Sequence, residues 1–424
     1  MTQDARERAK WKVRLSDWVD GLPGLIKRPV KKLILETTFG ILSSGTLKQS
    51  EIARALKEPC RLHHTQKRIS RMLAGHSEVS WAAEQLQLQR MAPLISGEMI
   101  LAIDPGDLNR DGAPRSELRG RVRDGDGGEI VGGYPLLSVV ARDVRRRKTL
   151  PLMTRLVSPD RGGYRSENRD ILSVMEEVQR HLVAKPLWVI DRGGDRGKLW
   201  KVWIEDGWDV LVRAANQRFW LWRDEQKTAQ QIARDLPLKH RCSLRRGQKG
   251  EVPFGITRVA LRECPDQPLW MVVVRHGKRE PLVLVTTRPV RGRRQGERLI
   301  HSYLDRWACE EGYRFSKQGF ELEGVQARRF TTLQNLVALA SLAWALLAAY
   351  QEDGGRLLEK ARRQKPKIPR VFPFYSLLAG WQRLFSAARV IFHPWLRRRS
   401  GTRATAPPQH DLFPHLPGLL GAMR

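Results

Sequence analysis

The sequence predicts a mixed α/β chain, a sheet with helices on its faces, preceded by a small helical domain and interrupted by a β-rich insertion. Three observations carry that reading. Apolar residues in the first hundred positions recur at helical spacing between Gly and Ser punctuation. From Met99 onward, short apolar or alternating runs and amphipathic stretches follow the order β-β-β-α-β-α-β. Three sequential strands followed by a helical crossover to a fourth require antiparallel and parallel pairs in one sheet.

The expected helices of the N-terminal domain cover 30–42, 49–57, 65–73 and 81–94. Within it, Leu47-Lys-Gln-Ser-Glu-Ile-Ala-Arg-Ala-Leu56 is followed by Thr65-Gln-Lys-Arg-Ile-Ser-Arg-Met-Leu73. This spacing puts apolar residues inside and Lys67, Arg68 and Arg71 outside, as in helix-turn-helix DNA readers; an ordinary basic bundle has the same pattern. Strands are expected at 99–103, 134–141 and 149–157, with an exposed Gly-rich loop over 107–133 and a basic turn, Val144-Arg-Arg-Arg-Lys148. A helix over 166–183, a strand over 187–190, a helix over 197–205 and a strand over 208–213 complete the series. Residues 216–290 carry strand candidates at 255–261, 269–275 and 281–286 amid basic turns. Helices resume over 296–317 and 333–350. The domains read as 1–96 (helical, DNA-binding), 97–215 and 291–352 (two parts of a catalytic core), 216–290 (β-rich insertion) and 353–424 (basic C-terminal segment, including Arg397-Arg-Arg399).

Composition narrows the function. Of 424 residues, 76 are Lys or Arg and 45 Asp or Glu, a net charge of +31. Such an excess points to a polyanionic partner, nucleic acid first. The first dozen residues lack the apolar run of a secretory signal, so a cytoplasmic protein is expected. The apolar stretch 333–350 is short for a bilayer span and contains Gln334 and Asn335, which favours a helix buried in a soluble core. Cys60, Cys242, Cys264 and Cys309 are scattered, without zinc spacing, and read as reduced thiols. No HxH or HExxH pattern occurs among the histidines.

Asp104 and Asp191 each follow an apolar strand candidate, in Leu101-Ala-Ile-Asp104 and Trp188-Val-Ile-Asp191. Rigid strand ends can hold carboxylates, and Mg²⁺ takes carboxylate, water and phosphate oxygens. A third acid is offered by Glu310 in Tyr303-Leu-Asp-Arg306-Trp-Ala-Cys-Glu310-Glu-Gly-Tyr-Arg-Phe-Ser-Lys317. At about 100° per residue on one continuous helix, positions 303, 306, 310 and 317 fall within about 60° of one another. One acid then sits among donors suited to phosphate oxygens. Asp107, Asp195 and Glu311 lie nearby but read as supporting or surface residues. Trp220 and Trp222 share a strand face in the insertion, where packing is expected to outweigh base stacking.

Tyr-x2-Arg-x3-Glu-x6-Lys, reproduced by Tyr303, Arg306, Glu310 and Lys317 without a gap, resembles the signature of the bacterial insertion-sequence-four transposases. The contexts of Asp104 and of Asp191-Arg-Gly-Gly-Asp195 are similar to that family too, as is an insertion between the second aspartate and the glutamate. The resemblance implies an RNase H-like core in which Asp104, Asp191 and Glu310 are catalytic and bind two Mg²⁺, with Mn²⁺ able to substitute, while Tyr303, Arg306 and Lys317 contact DNA. It implies cut-and-paste transposition on double-stranded DNA, both transposon ends and target, by a homodimer synapsed on DNA at the nucleoid, away from membranes. A hairpin end is the family's route between cleavage and integration. Two other classes use the same features: an RNase H-like nuclease without strand transfer, and a catalytically silent DNA-binding protein.

Overall fold

A computed structural model of the chain describes residues 2–22, 24–123, 128–146, 148–244, 250–277, 280–351 and 374–386. Five helices come first: α1 (Gln3–Asp20), α2 (Arg28–Ser44), α3 (Gln49–Leu56), α4 (Leu62–Gly75) and α5 (Glu78–Met91). The last four lie where the periodicity predicts them. The first helix was not expected, because its charged surface dominates the sequence; Trp11, Leu15, Trp18 and Val19 nevertheless form a buried stripe at helical spacing. Helix α2 stops at Gly45, whose φ of 70° is the left-handed conformation that glycine adopts freely.

Twelve strands form one mixed sheet, β1 (Ile100–Asn109), β2 (Gly120–Arg123), β3 (Ile130–Arg142), β4 (Thr149–Leu156), β5 (Leu187–Ile190), β6 (Val210–Arg213), β7 (Phe219–Trp222), β8 (Glu225–Thr228), β9 (His240–Cys242), β10 (Val252–Leu261), β11 (Cys264–Val274) and β12 (Leu282–Thr286). Their order is β2-β3-β1-β5-β6-β12-β11-β10-β7-β8, with β4 on β3 and β9 on β10. Strands β4, β3 and β1 are antiparallel neighbours, whereas β1, β5 and β6 run parallel. The crossovers use α6 (Glu167–Arg180) and α7 (Gly197–Glu205). This is the mixed sheet with helical crossovers expected of the core.

Two expectations need correction. The stretch 107–133 is not wholly an exposed loop. It holds the last three residues of β1, all of β2 and the start of β3, which pair with one another. Short Gly- and Arg-rich strands carry too little apolar alternation to be read from sequence. The β-rich insertion, in turn, does not form a sheet apart from the core. Strand β12 pairs antiparallel with β6, and β11 and β10 follow, so the insertion continues the core sheet across what would have been its edge.

Helix α8 (Ala229–Asp235) lies in the insertion; α9 (Arg293–Asp305), α10 (Trp307–Gly319) and α11 (Phe330–Ala349) follow it. Helix α11 is the one helix among the described residues long and apolar enough to cross a membrane, but 89% of its apolar window is buried inside the protein. It packs against β4, α5 and α2. Asn335 on it donates to the Leu73 and His76 carbonyls and accepts from the Ser80 amide, tying α11 to the N-terminal helices. Of the C-terminal segment, residues 374–386 are described, and within them lies an apolar helix, α12 (Phe374–Phe385). Trp381 meets Trp11 edge-on at 5.4 Å between ring centres and donates to Ser43. Arg397-Arg-Arg399 lies outside the described residues.

Candidate active site

The site forms where the parallel pairing of β1 and β5 ends. Ile100–Ile103 pairs in register with Leu187–Ile190, the last pair being Ile103 with Ile190. Asp104 and Asp191 are each the next residue, so they leave adjacent strands side by side, where strand spacing is about 4.8 Å. Asp104 is not at a strand end, as the sequence suggested. β1 continues past it through antiparallel pairing with β3, and Asp104 faces Ser138 in that register. Asp191 does end its strand. Its carboxylate caps the short 3₁₀ turn Arg192–Gly194 by accepting from the Gly193 amide at 2.9 Å.

Glu310 arrives on α10, which lies across β1 and β3. Close approach of small and sulfur-bearing residues makes that placement possible. The buried Cys309 sulfur sits 3.8 Å from the Ala102 carbonyl oxygen and 3.7 Å from that of Ser138. A Cβ on Gly106 would stand 3.2 Å from the Tyr313 ring, and one on Gly312 would strike Trp344 of α11. Burial raises the Cys309 thiol well above its usual range, so it is a packing group and not a nucleophile.

Arg306 joins the acids. Its Nη2 donates to Glu310 Oε1 at 2.5 Å, and Nη1 stands 3.5 Å from Asp104 Oδ1. The side chain is buried, yet Nε and Nη1 have no hydrogen-bond partner among the described residues. Burial pushes the Asp104 carboxyl up to about 6; Arg306 opposes the rise, and the charges of Asp191 and Glu310 add to it. Asp191 and Glu310 thus both act on the Asp104 carboxyl.

The continuous helical face expected over 303–317 is broken. The helix is interrupted at Arg306, where Arg306 N bonds the Tyr303 carbonyl and Cys309 N bonds the Arg306 carbonyl, both three-residue spacings. Tyr303, at the end of α9, is buried in an apolar cluster with Ile100, Leu187 and Leu211, and the Arg306 guanidinium lies 5.7 Å from its ring centre. Lys317 points along α10 to Glu323 Oε1, 2.8 Å away, and its Nζ lies 4.8 Å from the centre of the Tyr313 ring. The structure thus gathers Asp104, Asp191, Arg306 and Glu310, sets Tyr303 behind Arg306, and holds Lys317 at the far end of α10. Among the described residues, no three His, Cys, Asp or Glu side chains are drawn close enough to hold a metal ion. The cation between Asp104 and Glu310 is Arg306.

Asp195 is a supporting residue, as the sequence suggested, but a buried one. It accepts from Trp200 Nε1 at 2.8 Å and from the Ala215 amide at 2.7 Å, and pairs with Arg218 Nε at 2.9 Å. It thereby fastens the turn after Asp191 to the root of the insertion. The second acid of Asp-Arg-Gly-Gly-Asp was the available signal. Trp220 and Trp222 are buried, at 1% and 3% exposure, which agrees with packing.

No family model matches the chain, and no curated protein matches it. Among solved structures, the chain is similar to the piggyBac transposase in its synaptic complex with hairpin DNA, determined by cryo-EM. The identity is 11% and the TM-score 0.45, over 95% of this chain and 83% of that one.

Proposed function

We propose that the chain is a DNA transposase of the insertion-sequence-four type, which binds the terminal inverted repeats of its element, cuts the DNA strands and joins the freed ends to target DNA. The observation that carries this reading is the adjacency of Asp104 and Asp191, one register step beyond the Ile103–Ile190 pair, with Glu310 facing them through Arg306. The donor set consists of oxygen ligands alone, the kind Mg²⁺ takes, with Arg306 standing between Asp104 and Glu310. Asp104, Asp191 and Glu310 are the residues that would hold two Mg²⁺, or Mn²⁺ in their place, which would supply activation of the attacking hydroxyl and charge neutralisation at the leaving 3′-oxygen.

The rest of the chemistry belongs to the chain. Arg306 turns from the carboxylates to the scissile phosphate, where its planar guanidinium grips two phosphate oxygens along one edge. The Tyr303 ring behind it limits where the guanidinium can go. Lys317 contacts DNA farther along α10, giving up Glu323 for a phosphate. Asp195 holds the Asp191 turn still, and rigid placement of that kind governs the rate of in-line attack. DNA end and target are both duplex, and a homodimer on DNA would carry the two ends.

The test uses the full chain, Mg²⁺ and duplex DNA ending in the inverted repeats that flank its coding region. Cleavage at the repeat boundary with joining of the 3′ ends is expected. Cleavage without joining would make the protein a nuclease, and binding without cleavage a silent DNA-binding protein.

A further inference from the structure

A second polar site lies away from the carboxylates, where the helix-turn-helix unit meets the segment leading into α11. It is a cavity of about 550 Å³, and the residues that matter in its wall are Lys48, Gln66, Ser70, Arg71, Arg328 and Arg329. Gln66, Ser70 and Arg71 come from α4, and Arg328 and Arg329 from the segment that leads into α11. Lys48 is spoken for by Glu321 at 3.0 Å. Arg71, Arg328 and Arg329 are exposed and have no carboxylate partner among the described residues. The volume suits a ligand, but apolar side chains, which dominate most ligand pockets, are nearly absent from the lining.

The contrast with Arg68 on the same helix is informative. Its guanidinium bonds Glu36 at 2.7 Å and Glu58 at 2.9 Å, so it holds the helical domain together and is not offered to a partner. The three arginines at the cavity are the ones left available. We propose that this cleft seats the phosphodiester backbone of duplex DNA, its arginines gripping successive phosphates where the duplex passes from the α4 surface onto the catalytic core. The inference rests on the proposed DNA activity and adds a site to it. Exposed arginines contributed by α4 and by the segment leading into α11, without carboxylate partners among the described residues, suit a row of phosphates better than one compact anion.

The experiment compares the full chain with the triple variant Arg71→Ala, Arg328→Ala, Arg329→Ala and with a control of equal charge, Lys185→Ala, Lys239→Ala, Arg262→Ala. Affinity for repeat and random duplexes is measured against salt. Each lost phosphate contact lowers the slope of log K against log salt by about 0.9, so a drop of about 2–3 is expected for the cavity variant, equal on both duplexes, with the control within about one contact of the parent. Ser70→Glu, which removes no arginine, should weaken both duplexes in the same direction. An unchanged slope in the cavity variant, with steep salt dependence in the parent chain, would overturn the proposal. So would stabilisation of the parent by inorganic phosphate that needs the three arginines while the DNA slope does not, or competition by polyglutamate as strong as by DNA. Failure of the transposase reading is separate: it would appear as a parent chain that binds DNA but does not cut it.

Discussion

Arg306 bonds Glu310 at 2.5 Å and stands 3.5 Å from Asp104, so one guanidinium occupies the ground between acids contributed by a helix and a strand. In the proposed reaction that ground belongs to metal ions and the scissile phosphate. The arginine is then a resident cation that must move, and the predictions follow from that exchange.

Asp104→Asn, Asp191→Asn and Glu310→Gln should each lower Mg²⁺-dependent cleavage by at least about a hundredfold while leaving repeat binding intact, since each removes a ligand charge and almost no volume. Glu311→Gln, one residue around the helix, should keep most activity. Cleavage assays alongside gel-shift binding decide it, and full activity in any of the three removes that residue from the set.

Arg306→Lys retains a charge but not a planar fork. Cleavage and joining should fall about a hundredfold, the scale of a ~1 Å misplacement. Divalent-ion affinity should be unchanged or higher, because a point charge on a flexible stem competes less well for Glu310. If Mn²⁺ binding, followed by calorimetry, collapsed with activity, Arg306 would be a prop for Glu310 and not a phosphate contact.

Asp195→Asn weakens a buried carboxylate that serves the Trp200 indole, the Ala215 amide and Arg218. A loss of about 1–3 kcal/mol in stability is expected, the usual cost of an unsatisfied buried partner. Cleavage should fall with DNA binding kept, because the Asp191 turn loosens. Denaturant titration and single-turnover rates check the two halves separately.

Gly312→Ala drives a methyl group into Trp344, and the helix carrying Glu310 has to shift. Overpacking of this kind costs about 1–3 kcal/mol. Cleavage should drop without loss of repeat binding; a variant with parental melting temperature and activity would show that α10 is not held by this contact.

The helices α2 to α5, the β-β-β-α-β-α-β series and the burial of α11 were legible because each is written in local periodicity. Helix α1 was hidden by its charges, and the sheet continuity of the insertion could not be read at all: which strand edge meets which is a long-range choice that local patterning does not encode. At the site, the neighbouring positions of Asp104 and Asp191 were legible through the apolar runs before them, although β1 continues past Asp104. The break at Arg306 was not, since a helical wheel assumes the straight axis that the three-residue bonds interrupt. Nor was the fate of Arg68, whose partners Glu36 and Glu58 lie on other segments.

The seating of α12 bears on how the chain is made. Trp381 and Phe385 complete the aromatic interior against Trp11 and Phe39. A ribosome has therefore passed residue 385 before the first helix can bury its tryptophan against its final neighbours, and the portion of the protein synthesised first is among the last to close. Every truncation that stops short of α12, however remote from the carboxylates, leaves the opening helices with an exposed aromatic face.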